Sequence, residues 1–98
     1  MRIRYTQRAR DNLKAIRAYV AQDSVIYARR LVQRIRRSIA MLTRFPEIGS
    51  VVEEWGRRDL RELSVGNYRV IYRLTGREIL IRSVVHGARL FPDQPDKD

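Results

Sequence analysis

Few side chains in this sequence can transfer a proton or attack a substrate. His86 is the only histidine and there is no cysteine, so imidazole chemistry depends on one residue and thiolate chemistry is excluded. Glu53 and Glu54 are adjacent, and adjacent residues of an extended chain point to opposite faces, so they do not make a catalytic carboxylate pair. Neither a glycine-rich phosphate loop nor a metal-ligand spacing is present. We therefore expect no metal and no cofactor.

Arginine dominates the remaining chemistry. The chain has 21 basic residues against 11 acidic ones, a formal net charge of +10, and only Lys14 and Lys97 of the basic residues are not arginine. The last six residues hold three Asp and one Lys, so residues 1–92 carry +12. Guanidinium groups bind phosphate or carboxylate through two hydrogen bonds. The composition favours a nucleic acid or an acidic protein as partner, with a genome-wide arginine bias as the alternative explanation.

Four arginines are candidates for one anion-binding surface. Arg69 and Arg73 alternate on one face of a predicted strand, with Ile71 between them on the same face. Arg82 belongs to the next strand and Arg89 follows its end. We expect these four arginines to form a positive concavity, although the sequence does not determine the cross-strand register that would bring Arg82 to this face. Dispersed surface arginines are the alternative.

The first half of the chain has helical periodicity. After a short predicted strand over Arg2–Tyr5, apolar residues recur every three or four positions in two stretches, Gln7–Ala21 and Val25–Arg44. Thr6 and Ser24 precede these stretches and are good helix N-caps. Two helices joined by so short a link pack as an antiparallel hairpin.

The second half has strand periodicity. Pro46 ends the helical region, and the apolar alternation predicts strands over Leu60–Val65, Tyr68–Leu74 and Glu78–Val85. The turn Thr75-Gly76-Arg77 is typical of a β-hairpin. Strands joined by tight turns are antiparallel. We therefore predict an α+β fold with an N-terminal strand and an antiparallel helical hairpin packed on a three- to four-stranded antiparallel sheet.

The length of 98 residues fits one domain, which we place at residues 1–90, followed by a flexible tail at 91–98 that contains two prolines. No apolar run approaches the roughly 20 residues that a membrane span needs, and the N-terminus has no signal-peptide core. We expect a soluble cytoplasmic protein with no membrane contact.

Several motifs, read in order, resemble the RelE/ParE superfamily of bacterial type II toxins over about residues 3 to 89. They are Ala9-x-x-Asn12-Leu13-x-x-Ile16-x-x-Tyr19, the apolar series from Ala28 to Leu42 followed by Phe45-Pro46-x-x-Gly49, Arg61-Glu62-Leu63-x-x-Gly66-x-Tyr68-Arg69-Val70-Ile71-Tyr72, and Val84-x-His86-Gly87-Ala88-Arg89. The resemblance implies a toxin that a cognate antitoxin neutralises in a hetero-oligomeric complex.

The two branches of the superfamily imply different targets. RelE-like members cleave mRNA on the ribosome with lysines and arginines on the sheet and a tyrosine near the C-terminus, whereas ParE-like members inhibit DNA gyrase. Arg69 and Arg89 match two nuclease arginines by resemblance, and His86 would be the proton carrier. Leu60 and Glu62 stand where the nucleases have lysines, however, and no terminal tyrosine follows Arg89.

These departures favour a ParE-like gyrase inhibitor without catalysis. A ribosome-dependent mRNA endonuclease is the alternative, and a basic nucleic-acid-binding module is a third reading. We expect Arg69, Arg73, Arg82 and Arg89 to contact the target, rather than the arginines of the second helix. An acidic and apolar antitoxin segment is expected to bind at Trp55 and at an exposed Ile71.

Overall fold

A computed structural model describes residues 1–87. Arg89 and the predicted tail lie outside these residues. The elements, numbered in chain order, are β1 (Arg2–Tyr5), α1 (Gln7–Ala21), α2 (Val25–Ala40), a 3₁₀ turn (Met41–Thr43), β2 (Ser50–Val51), β3 (Leu60–Val65), β4 (Tyr68–Leu74) and β5 (Glu78–His86). No helix in this part of the chain is long and apolar enough to cross a membrane.

Both helices begin at the predicted caps. The Thr6 hydroxyl accepts a hydrogen bond from the Ala9 amide at 3.0 Å, and the Ser24 hydroxyl accepts one from the Tyr27 amide at 3.1 Å. Helix α2 ends at Ala40, four residues before the predicted end at Arg44. The chain tightens there into the 3₁₀ turn, as helix ends often do, and this turn keeps Leu42 fully buried.

Within residues 1–87 the sheet has five strands in the order β1-β5-β4-β3-β2. The α+β class and the antiparallel β3–β4–β5 meander are confirmed. The sheet has one strand more than the upper expected count of four, because the predicted N-terminal strand β1 joins it. Strand β1 pairs in parallel with β5, with Ile3 opposite Ile79. The rule that neighbours run antiparallel holds for strands joined by short turns. Along the chain, the helical hairpin and strands β2–β4 separate β1 from β5, so that rule does not constrain this pair.

The core lies between the helical hairpin and one face of the sheet. Its fully buried side chains come from both layers and include Leu13, Ile35, Ile39, Tyr72 and Ile81. Burying each such side chain contributes roughly 1.5–3 kcal/mol, so this layer contact holds the hairpin on the sheet. The candidate arginines of β4 and β5 therefore lie on interior strands of a sheet that is packed against the helical hairpin.

Candidate functional site

Arg69 on β4 is held by two carboxylates. Its Nη2 donates to Glu62 Oε2 on the adjacent strand β3 and lies 3.5 Å from Glu54 Oε2. Burial alone would lower the pKa of Arg69, but the hydrogen bond to Glu62 and the charges of Glu62 and Glu54 outweigh it, so the pKa is raised. The register explains the contact, because Arg69 is opposite Ser64 and Glu62 is two residues along the same face.

Arg73, the next arginine on this face of β4, is also paired. Its Nε lies 3.2 Å from Asp59 Oδ2, and the same carboxylate accepts a 2.8 Å hydrogen bond from Arg57 Nη2. The hydrogen bond from Arg57 lowers the pKa of Asp59, against a smaller opposing effect of burial. Asp59 thus bridges the loop before β3 to the end of β4.

Arg82 sits at an irregularity of β5. Ile71 pairs with Ser83 and Tyr72 with Ile81, so β5 has one extra residue here, a β-bulge. Arg82 is 7% exposed. It lines a cavity of about 450 Å³ together with Arg4, Arg8 and Arg10.

His86 is exposed at the end of β5. Its ring stands edge-on to the Tyr68 ring, with centroids 5.5 Å apart. A cavity of about 410 Å³ brings His86 together with Arg69 and Glu62. Among the described candidates, Arg69 and His86 line one cavity, Arg82 lines the other, and Arg73 lines neither of these two. Their predicted roles in target binding stay predictions, and Arg89 lies outside the described residues.

The two apolar candidates differ in accessibility. Trp55 is half-buried in the turn after β2, where its amide donates to the Val52 carbonyl at 3.1 Å. Ile71 is 1% exposed, so the expectation of an exposed Ile71 is wrong. Alternation puts Ile71 on the face away from the helices, but that face also buries Leu60 and Leu80. The sequence pattern assigned the face correctly and misjudged its exposure.

Sequence reasoning missed two apolar patches that are exposed in the described part of the chain. One lies where α1 meets α2 and consists of Tyr19, Val25, Ile26 and Tyr27, each 59–70% exposed. The other follows α2 and consists of Met41, Phe45 and Ile48, each 45–61% exposed. The available signal was the run Val25-Ile26-Tyr27, which departs from the three- and four-residue spacing that a buried helix face follows.

A buried latch joins the end of the helical region to the sheet. The Tyr72 hydroxyl on β4 donates to the Pro46 carbonyl and accepts from the Gly49 amide, each at 2.9 Å. An ideal Cβ on Gly49 would lie 2.4 Å from the Tyr72 hydroxyl and 2.6 Å from the Glu62 carbonyl oxygen. The Phe45-Pro46-x-x-Gly49 motif and the Tyr72 strand motif therefore meet in one structural contact.

The arrangement offers paired arginines and one exposed imidazole. Among residues 1–87, no group of three or more His, Cys, Asp or Glu side chains is placed to hold a metal ion. The Arg69 cavity can bind an anion only in competition with Glu62 and Glu54, whereas arginines of the helical hairpin carry no such ion pairs within the described part of the chain.

Comparison with known proteins identifies relatives. The family model described as the ParE toxin of type II toxin–antitoxin system, parDE, matches residues 3–91. A chain of the chromosomal ParDE system from P. aeruginosa is similar in structure, with a TM-score of 0.73 at 24% identity over 88% of this chain and 95% of that one. A chain of the RelBE2 toxin–antitoxin complex from Mycobacterium tuberculosis has a TM-score of 0.56 at 21% identity, over 87% of this chain and 95% of that one. No curated protein matched.

Proposed function

The chain belongs to the ParE toxin family of type II toxin–antitoxin systems, and from this premise we propose that it acts in the cytoplasm by binding and inhibiting DNA gyrase. Inhibition is by binding alone, without catalysis by the toxin. A cognate antitoxin is its neutralising partner, as the toxin–antitoxin complexes among its structural neighbours support.

The observation that supports inhibition without catalysis is that Arg69 is already paired with carboxylates. A nuclease stabilises the charge that develops on the scissile phosphate with preorganised positive groups. Here the guanidinium of Arg69 already faces the carboxylates of Glu62 and Glu54. A phosphate that approaches Arg69 would meet the negative charge of Glu62 in the cavity and that of Glu54 beside it, and both charges work against cleavage.

A ribosome-dependent mRNA endonuclease remains the second candidate because one observation favours it. His86 and Arg69, which this candidate function needs as proton carrier and phosphate ligand, line the same cavity. Glu62 lines it as well. The endonuclease reading therefore requires that substrate displace Glu62 from Arg69.

We propose that gyrase is contacted by Arg69, Arg73, Arg82 and Arg89. The ion pairs refine this proposal: Arg69 and Arg73 are held in position by Glu62 and Asp59. Such fixed guanidinium groups lose little conformational freedom on binding. The target must then offer an anionic group that competes with these carboxylates or binds beside them.

We propose that the antitoxin binds the toxin through an acidic and apolar segment. Besides Trp55, the patch of Met41, Phe45 and Ile48 offers exposed apolar side chains. Phe45 and Ile48 line a cavity of about 390 Å³, and the Arg44 guanidinium lies 5.9 Å from the Phe45 ring centroid. Apolar side chains beside a cation suit a peptide that carries both hydrophobic and acidic residues.

Expression of the toxin without its antitoxin separates the two candidate functions. Gyrase inhibition predicts filamentous cells with a DNA-damage response, whereas mRNA cleavage predicts an immediate stop of protein synthesis. The matched control is co-expression of the protein encoded by the neighbouring gene, which should restore growth. Loss of translation before any DNA-damage signal would contradict the proposal.

A further inference from the structure

The positive charge of the described chain is concentrated on its helical half. Residues 7–44 contain ten basic and two acidic residues, a net charge of +8, whereas residues 1–6 and 45–87, which form the sheet and its loops, contain nine basic and six acidic residues, a net charge of +3. The ion pairs found among the described residues all join side chains of β1, of the sheet or of its loops. Carboxylates of the sheet side thus pair with part of its arginines, whereas the arginines of the helices take part in none of these ion pairs.

Helix α2 presents part of this charge as a row of three exposed arginines, Arg30, Arg34 and Arg37, which we call the basic row. Their spacing of four and three residues places them on one side of a helix. The buried residues Leu31, Ile35 and Ile39 occupy the opposite side. From Arg30 to Arg37 the row covers seven residue steps, or about 10 Å of helix axis. All three side chains are exposed, and the Arg34 guanidinium borders the β3–β4 turn, where a Cβ on Gly66 would lie 3.5 Å from Arg34 Nη1.

The chemistry of the basic row fits phosphates better than a protein surface. Protein interfaces need an apolar centre, commonly aromatic, with charges at the rim. The exposed large apolar residues of α2 and its continuation lie at the two ends, at Val25–Tyr27 and from Met41 onward, and none lies between Arg29 and Ala40. Duplex DNA carries about one charge per 1.7 Å of axis. A strip about 10 Å long can thus reach several phosphates at once.

We propose that the basic row binds the phosphate backbone of duplex DNA, without sequence preference. This activity belongs to the toxin itself and does not rest on gyrase. It gives the toxin affinity for the DNA on which its proposed target works, while the target-binding arginines of the sheet stay separate. Binding through phosphates releases condensed counterions, so affinity must fall steeply as salt rises.

The test is fluorescence anisotropy of a labelled 20-base-pair duplex with the purified full-length toxin over a series of salt concentrations. The triple variant Arg30→Gln/Arg34→Gln/Arg37→Gln is compared with Arg2→Gln/Arg58→Gln/Arg77→Gln. The second set removes three exposed arginines outside the helices, so both variants have the same net charge. All six side chains are exposed, and thermal unfolding checks that both variants stay folded.

We expect the basic-row variant to bind about tenfold or more weakly near 0.1 M salt, with a salt slope smaller by roughly two to three than that of the wild type. The control variant should keep most of the wild-type affinity and most of the wild-type salt slope. Equal losses in the two variants would show that net charge alone is responsible and would overturn the proposal. A wild-type affinity that does not change with salt concentration would also overturn it. So would polyglutamate of equal charge that competes for the toxin better than unlabelled duplex does. None of these outcomes bears on gyrase, which is absent from the assay.

Discussion

Replacing Gly49 by alanine should destabilise the fold severely, because the latch leaves no room for a methyl group. The new Cβ would lie 2.4 Å from the Tyr72 hydroxyl and 2.6 Å from the Glu62 carbonyl oxygen. The first neighbour ends a side chain that is itself fully buried, and the second is backbone of β3, paired on both sides. Neither can move cheaply. Overpacking of this kind costs about 1–3 kcal/mol, and displacing Tyr72 adds the loss of its hydrogen bonds.

The hydrogen-bond part is measured separately by Tyr72→Phe. This change leaves the Gly49 amide and the Pro46 carbonyl without the hydroxyl. A buried polar group that loses its partner costs about 1–3 kcal/mol, so we expect a loss near 2 kcal/mol for Tyr72→Phe. For Gly49→Ala we expect about 3 kcal/mol or more. In the Tyr72→Phe background Gly49→Ala should still be costly, since the clash with the Glu62 carbonyl remains.

Urea unfolding of the purified chain, followed by the fluorescence of its only tryptophan, Trp55, measures these losses. The matched control is Gly76→Ala, because a Cβ on Gly76 has no neighbour within 4 Å. It should change the unfolding free energy by less than about 0.5 kcal/mol. Equal stability of the Gly49→Ala and Gly76→Ala variants would refute the latch.

Three further outcomes are expected. The folded pKa of Asp59 is lowered below its ordinary value of 3.8, so its contribution to stability is complete above about pH 4 and is lost as the pH falls further. The difference in unfolding free energy between wild type and Asp59→Asn should therefore be constant from pH 5 to 7 and shrink below pH 4. A difference that persists unchanged below pH 3 would contradict this. Stopped-flow binding to the antitoxin should show association that slows with salt much more than dissociation accelerates, since charge acts mainly on encounter; association independent of salt would argue against an acidic segment. Mapping of mRNA 5′ ends on programmed ribosomes should show no A-site cuts, and reproducible cuts that vanish in Arg69→Ala would establish the endonuclease.

Local features of this protein follow from its sequence, and long-range ones do not. The caps Thr6 and Ser24 and the β4–β5 hairpin are set by residues within a few positions of one another, and all were predicted. The parallel pairing of β1 with β5 joins residues more than 70 positions apart, so no local pattern encodes it. The bulge at Arg82 lies inside the local β4–β5 hairpin, but the alternation of residue types along β5 does not show where the extra residue falls. Sequence alternation placed Ile71 on a face but carried no information on what else that face buries.

The sequence predicted which arginines of β4 share one face of the strand but not which carboxylates pair with them. Alternation along β4 placed Arg69 and Arg73 on one face, as found. Their partners Glu62 and Asp59 come from β3 and the loop before it, and only the β3–β4 register brings them into contact. Counting arginines therefore predicted a strongly positive surface where the folded chain has paired charges.

Supercoiling of relaxed plasmid DNA by purified gyrase, with the toxin titrated in, tests the central claim most directly. We predict that the folded wild-type toxin stops supercoiling in a concentration-dependent way and that its antitoxin restores it. At saturating toxin, Arg69→Ala/Arg89→Ala should lose the inhibition, whereas Arg30→Ala/Arg37→Ala should keep it. Undiminished supercoiling in a large molar excess of folded wild-type toxin would contradict the account.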